Sequence, residues 1–417
     1  MQEVIHGLCG WSDHSLAQCK RVFPPKTSSS IDKLRFLSQS TELGCIEVNS
    51  TTYAIPQQKT VQEWIDATPS GFIFHFKAFG ALCGSDIDLK QIPFSIRQKY
   101  GLEANGRFRR NQYPEAFIDL WTSFNDSLEP AVQSRKVGVI VFQFHTNFSP
   151  CETSRHYVEE CATFLRGDVQ MAVEFRDRNW IGWCNSQESE LSPSQNLSLL
   201  NETITWLRML RNGDGIALIA SDELFSETFP NGLPTSLRPI YSDLNDGSPL
   251  VPNSTNTPRL PIFLSPSPTS QFLYIRIHRR EGNERLLSLL ELRSWISRIE
   301  RAMAGDTPPS SSSAFNGPCY ILWGTDFEDQ PLLNIKNFNE LLPNHYLRKS
   351  PATGGRGSQM ILTFFHKRKH DEEGIEKEER KSFKQKCEHV VEGCTLGEED
   401  LKRVSKQSIL SYFKKKL

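Results

Sequence analysis

The chain has 417 residues, 38% hydrophobic and 23% charged, with a formal net charge of -1. That length suits one large domain with an appendage, and the balanced charge gives no global case for nucleic-acid binding. The 10 cysteines show no C-x-x-C spacing for structural zinc, and no apolar run approaches the roughly 20 residues of a membrane span.

The opening stretch MQEVIHGLCGWSD lacks the charged-then-apolar order of a secretory leader, so the expected compartment is nucleus or cytoplasm. Cys9, Cys45 and Cys319 fall in apolar strand-like runs and read as reduced core residues.

In chain order, eight short β-rich runs are predicted: 5–9, 45–49, 72–78, 137–143, 171–176, 216–220, 272–278 and 319–322. Helical patterns are predicted over 31–43, 114–133, 154–165, 203–211, 289–302 and 332–342. Eightfold strand–helix alternation is the pattern of a (β/α)8 TIM-type barrel, placed over residues 1–345. A doubly wound open sheet is the competing arrangement, though it seldom needs eight units. Two long connections, 84–113 and 221–271, follow strands, and such loops gather on the C-terminal face of a barrel. Lineage-specific surface insertion is the plainer account of the second.

Alternate residues of a barrel strand point inward. Near the strand C-termini those positions are repeatedly polar: Glu47 and Asn49, His75 and Lys77, Gln143, Glu174 and Arg176, Arg276 and His278. Asp222 and Asp326 follow the sixth and eighth runs, and Trp11 and Tyr53 lie just beyond strand ends. Burying so many polar groups unpaired would cost about 1–3 kcal/mol each, so a ligand site at the mouth is the better account. Lys77, Arg176 and Arg276 suit a phosphate- or carboxylate-bearing ligand, with Glu174 or His278 as general base or acid. A metal held by Glu47, Glu174, His278 and Asp326 is opposed by the nearby cations. Metal and cofactor are left unassigned.

Several of these segments form a series: GLCGW at 7–11, EVNSTTY at 47–53, FHFKA at 74–78, VFQF at 141–144, EFRDRNW at 174–180 and YIRIH at 274–278. The series resembles the motifs of the YecE-like family, domain of unknown function 72, over about residues 5–342. The resemblance implies a TIM barrel and no particular activity. Trp11, Glu47, Asn49, Tyr53, Lys77, Gln143, Glu174, Arg176, Trp180, Arg276 and His278 match it. The chain departs from the pattern near Cys83–Gly84, where a histidine is usual, at Arg279, where glycine is usual, and at Gly324–Thr325, where an asparagine pair is usual.

Residues 346–417 form a second region, dominated by Lys, Glu, Asp and Arg from His366 to Lys416 and expected to be disordered. It carries one peptide twice: SQMILTFF at 358–365 and KQSILSYF at 406–413, each running into basic residues. Ile361, Phe364 and Phe365, and likewise Ile409, Tyr412 and Phe413, would form a three-pronged apolar plug on one helical turn. The pattern resembles the PCNA-interacting peptide, with glutamines Gln359 and Gln407 one residue late. Packing of 360–365 on the barrel competes with this for the first copy. The basic cluster at 366–370 reads either as a nuclear localisation signal or as a solvated flank.

Three functional readings follow. The first is a barrel protein recruited to a PCNA-type sliding clamp, acting in DNA replication or repair on DNA or a nucleotide. Any activity would then be hydrolytic and phosphodiesterase- or nuclease-like. The second is a metabolic enzyme on a small phosphorylated or carboxylated substrate, and the third a non-catalytic scaffold.

Overall fold

The computed structural model describes residues 3–25, 27–181, 193–223, 260–262, 269–278, 285–304, 317–343 and 346. Both tail peptides and the 366–370 cluster lie outside the described residues, as does most of the 221–271 connection. Among the described residues, no helix is long and apolar enough to cross a membrane.

Eight parallel staves form a ring: β1 (Val4–Leu8), β2 (Cys45–Val48), β3 (Ile73–Lys77), β4 (Val137–Phe144), β5 (Gln170–Phe175), β6, β7 (Leu273–His278) and β8 (Cys319–Gly324). β6 is split into Ala217–Leu218, which pairs with β5, and Ala220–Glu223, which pairs with β7. The two halves belong to one stretch of chain, so the nine parallel segments make a nearly closed barrel. Past Ile219, the side of β6 that faced β5 is taken by Leu260–Ile262, running antiparallel. The predicted unbroken sixth strand is therefore replaced by a stave that parts from β5 at its upper end. β8 pairs with β1 and completes the ring.

The helices α1 (Ser30–Ser40), α2 (Gln58–Asp66), α3 (Pro114–Ser127), α4 (Glu152–Phe164), α5 (Pro193–Met209), α6 (Leu289–Ala304) and α7 (Gln330–Leu341) alternate with the strands. α2 was not among the predicted helices, although Val61, Trp64 and Ile65 have the spacing of a buried helical face. The predicted helix over 114–133 is interrupted at Leu128, where Glu129–Gln133 begins as a separate turn. Pro130 is the cause, because it offers no N–H to the carbonyl four residues back and its ring crowds that turn.

Strand alternation sorts the core. Inward positions Ile5, Cys45, Val139, Ala172, Phe272 and Tyr320 fill the barrel. Outward Phe142 and Phe144 of β4 stack with Phe148, Phe175 and Trp180 beneath α4 and α5. Cys9, Cys45 and Cys319 are all buried and none is in a disulfide. The 84–113 connection is an ordered insertion, with Ile87–Asp88 pairing antiparallel to Arg107–Phe108 around a short helix, Phe94–Lys99.

Candidate functional site

One hydrogen-bonded chain crosses the C-terminal end of the barrel. Lys77 at the end of β3 donates from Nζ to Gln143 Oε1 of β4 at 2.7 Å. Gln143 Nε2 donates to Glu174 Oε1 of β5 at 2.8 Å. Arg276 of β7 donates from Nη1 to Glu174 Oε2 and from Nη2 to Glu47 Oε1 of β2, the latter at 2.8 Å. Tyr274 closes the chain by donating its hydroxyl to Glu47 Oε2 at 2.9 Å. The inward register of five strands thus brings together residues up to 229 positions apart.

The centre of this chain is sealed, since Glu47, Glu174 and Arg276 are all buried. Two carboxylates clamped by one guanidinium offset much of each other's desolvation cost, and losing any partner would leave a buried charge exposed to that cost. For Glu174, burial alone would raise the carboxyl pKa. Arg276, Arg176, His278 and Lys77 outweigh burial and hold it well below the usual carboxylate range. Arg276 loses by desolvation, yet its two carboxylates lift it well above the ordinary guanidinium value. Glu174 is therefore an anion near neutral pH, with no proton to give, and both its oxygens are engaged. Of the general base or acid roles expected from sequence for Glu174 or His278, this leaves Glu174 no proton for the acid role, and its engaged oxygens fit an electrostatic anchor.

The chain meets solvent at its β4–β5 end. Gln143 and Arg176 are half-buried, and Arg176 donates from Nε to Glu174 Oε1 at 3.3 Å. Its side chain is 33% exposed, leaving part of the guanidinium fork available to a ligand. Lys77 is 8% exposed. Burial first, then repulsion from Arg276, pulls its amine down to about 8, against the opposing pull of Glu47 and Glu174.

The other candidates divide. Asn49 donates from Nδ2 to Cys9 O at 2.6 Å, which fixes the amide and leaves Oδ1 buried without a partner among the described residues. His278 is buried, with its ring packed against Gly324, its register partner on β8. Only glycine fits there, because a Cβ would collide with the imidazole. Asp326 is half-buried just beyond β8, and its backbone carbonyl accepts from Ser15 and Arg285. Trp11 lies away from the chain: it is buried, donates to Ser30 Oγ at 2.8 Å and meets Trp64 edge-on. Trp180 is likewise buried, donating to Phe148 O and stacking on Phe175. Tyr53 stands 68% exposed at the rim. Asp222 falls inside the upper half of β6, and its side chain lies outside the description.

His75 belongs to the core. It accepts at Nδ1 from the Val139 N–H at 3.0 Å and sits edge-on to Tyr274 and Tyr320. Burial lowers it to about 3, so it is neutral. The carboxylates proposed as metal ligands, Glu47 and Glu174, are both committed to Arg276. Among the described residues, no group of three His, Cys, Asp or Glu is arranged to hold a metal ion.

Sequence reasoning missed two members of the mouth. Tyr274 shares the two-residue spacing of Arg276 and His278, so the signal was present. Ser221, level with Arg276 and buried with no partner for Oγ among the described residues, continues the two-residue spacing of inward Ala217 and Ile219 one residue past the predicted run.

Comparisons with known proteins agree with this architecture. The UPF0759 protein YunF of Bacillus subtilis (strain 168) is 27% identical over 174 residues, 42% of this chain. The match spans about half (51%) of that relative's own length. A DUF72 family protein from Enterococcus faecalis V583 superposes with a TM-score of 0.51 at 14% identity, over 82% of this chain and 98% of that one. A second DUF72 family protein, from Thermotoga maritima MSB8, is 18% identical with a TM-score of 0.47, over 82% and 99% of the two chains. The Enterococcus faecalis structure establishes likeness of fold alone. The model of the family described as "Protein of unknown function DUF72" matches residues 5–355, nearly the whole barrel region, and the chain belongs to that family.

Proposed function

We propose that this DUF72 barrel binds a phosphate-bearing ligand, DNA or a nucleotide, at its C-terminal mouth, and that its tail recruits it to a PCNA-type sliding clamp during DNA replication or repair in the nucleus. One observation carries the mouth assignment. Within the hydrogen-bonded chain, the carboxylates of Glu47 and Glu174 face three cations, Lys77, Arg176 and Arg276. In the Glu–Arg–Glu floor both carboxylates are paired with Arg276 through Nη1 and Nη2, so the surplus positive charge falls to Lys77 and the partly exposed fork of Arg176. Arginine grips phosphate bidentately, and a surrounding of low polarity strengthens that grip.

The test is titration of the full-length protein with inorganic phosphate, a nucleotide and DNA at low and raised salt. Arg176→Met is expected to weaken binding about tenfold, equivalent to one charge-assisted hydrogen bond. A steep fall of DNA affinity with salt marks contact with a phosphate backbone. Absence of any phosphate binding, or binding indifferent to Arg176, would refute the assignment.

The recruitment half rests on the repeated peptide. Two weak plugs on one stretch of chain would bind a ring with avidity beyond either alone. Titration of a 406–417 peptide against purified clamp tests it, and unchanged binding after Tyr412→Ala with Phe413→Ala would remove the C-terminal motif.

A further inference from the structure

The geometry points to Lys77 as a nucleophile whose amine forms an imine with an aldehyde or ketone that also carries phosphate. This rests on the anion-binding reading above and narrows its substrate class.

Lys77 ends β3 on the inward face of the mouth, buried, with its amine set against the side-chain chain that spans the barrel. Buried lysines are ordinarily paired with a carboxylate or fully hydrogen-bonded. Nζ of Lys77 instead has one hydrogen-bond partner among the described residues, the neutral amide oxygen of Gln143. Gln143 stands between the amine and Glu174, because its Nε2 end is taken by that carboxylate. The amine is thus positioned without being locked into a direct ion pair. Burial and Arg276 both favour the neutral form and bring the pKa to about 8. Near pH 7 such an amine is unprotonated on the order of a hundred times more often than an ordinary lysine.

Lys136 supplies the contrast within the same molecule. It is equally buried, but its Nζ donates to Ile65 O, Thr68 O and Thr68 Oγ1 at 2.8, 2.8 and 3.0 Å, using all three N–H bonds.

The step balances without any further reagent. The Nζ lone pair attacks the carbonyl carbon, a C–N bond forms, and the C=O π pair moves to oxygen. One amine proton passes to that oxygen, giving a carbinolamine. The oxygen then leaves as water carrying the second amine proton, and C=N remains. Arg176 holds the phosphate, and the Gln143 amide orients Nζ.

The experiment incubates full-length protein with glyceraldehyde 3-phosphate and cyanoborohydride, which reduces an imine to a stable secondary amine, and maps the adduct by peptide mass. Parallel arms use glyceraldehyde, an oligonucleotide bearing an abasic aldehyde, and its intact counterpart. The expected result is an adduct on Lys77 forming at least tenfold faster than on any other lysine, slower without phosphate, and absent in Lys77→Arg and Lys77→Met. Circular dichroism verifies the fold of both variants, and mapping in the unaltered protein locates the adduct whatever their stability. Capture of the free sugar phosphate or of the abasic strand both support the imine and identify the source of the carbonyl. An adduct spread over surface lysines, or unchanged in a folded Lys77→Arg, overturns the inference, as does equal capture of glyceraldehyde. Glycerol 3-phosphate, which lacks a carbonyl, separates the two readings. If it binds through Arg176 while no adduct forms, the imine fails and the anion site stands. If it does not bind and no adduct forms, both fail.

Discussion

Two buried lysines of this barrel share an exposure of 8% and differ in everything that surrounds them. Lys136 precedes β4, at the end of the barrel opposite the mouth, and caps carbonyls at the C-terminal end of α2, where the helix dipole also favours a cation. Lys77 leaves β3 at the mouth and meets a single neutral acceptor beside a guanidinium. Burial alone therefore does not distinguish a structural lysine from a functional one. What distinguishes them is whether every N–H has been given an acceptor. The rest of the mouth is mixed in the same way: Glu47 and Glu174 pair with Nη1 and Nη2 of Arg276, while Arg276 Nε, Asn49 Oδ1 and Ser221 Oγ lack partners among the described residues.

The largest expected effect tests the paired part. Arg276→Leu strands two buried carboxylates and should cost about 3–5 kcal/mol in urea unfolding. A loss below about 1 kcal/mol would mean that the network is far wetter than its burial indicates.

The paired lysines come next. Lys136→Met leaves buried carbonyls unpaired and should destabilise by about 1–3 kcal/mol, with ligand binding unchanged. Lys77→Met removes a poorly compensated buried cation and should leave stability at neutral pH unchanged or raised while abolishing capture of the phosphorylated aldehyde. Equal stability losses in the two variants would erase the contrast.

Their pH dependence separates core from mouth. His75 and His6 are lowered by burial to about 3 and about 4, His6 in spite of its bond to Asn339. Between those values and the unfolded value near 6.5, the unfolded chain binds more protons than the native one. Their contribution is thus complete above about pH 6.5 and is lost as pH falls, by about 1.4 kcal/mol per pH unit for each histidine. His75→Phe, if folded, should flatten the acid limb. Lys77 acts on the alkaline side. Its folded pKa near 8 lies below the unfolded 10.5, so the cost of burying it is fully present below pH 8 and is relieved as pH rises toward 10.5. Lys77→Met should remove that rise, and the rate of aldehyde capture should climb about tenfold per pH unit up to pH 8.

The smallest effect is at the rim. Tyr53→Ala should change stability by less than about 0.5 kcal/mol, given how little of the ring is buried, and any larger consequence should appear only in ligand binding.

Local pattern made much of this legible. The eight strand runs were visible because a barrel strand carries its apolar and inward signals within a few residues. Glu47, Lys77, Gln143, Glu174, Arg176, Arg276 and His278 were visible because the two-residue period marks one face. α2 and Tyr274 carried the same signals and were passed over. Trp11 and Trp180 stand near the motifs by chain position, but their indole N–H groups are spent on Ser30 and Phe148, which no spacing encodes.

By itself the sequence determined the stave count, the inward ring of polar side chains and the repeated tail peptide, since each is a property of neighbouring residues. Only the tertiary structure decided which charges meet. The stagger of the barrel puts Arg276 between Glu47 and Glu174, and sets the Gln143 amide between Glu174 and Lys77. It also parts β6 from β5 above Ile219. These choices turn a list of polar residues into anchored ions and one reactive amine, because the charge state of a buried group is fixed by neighbours that the chain alone does not place beside it.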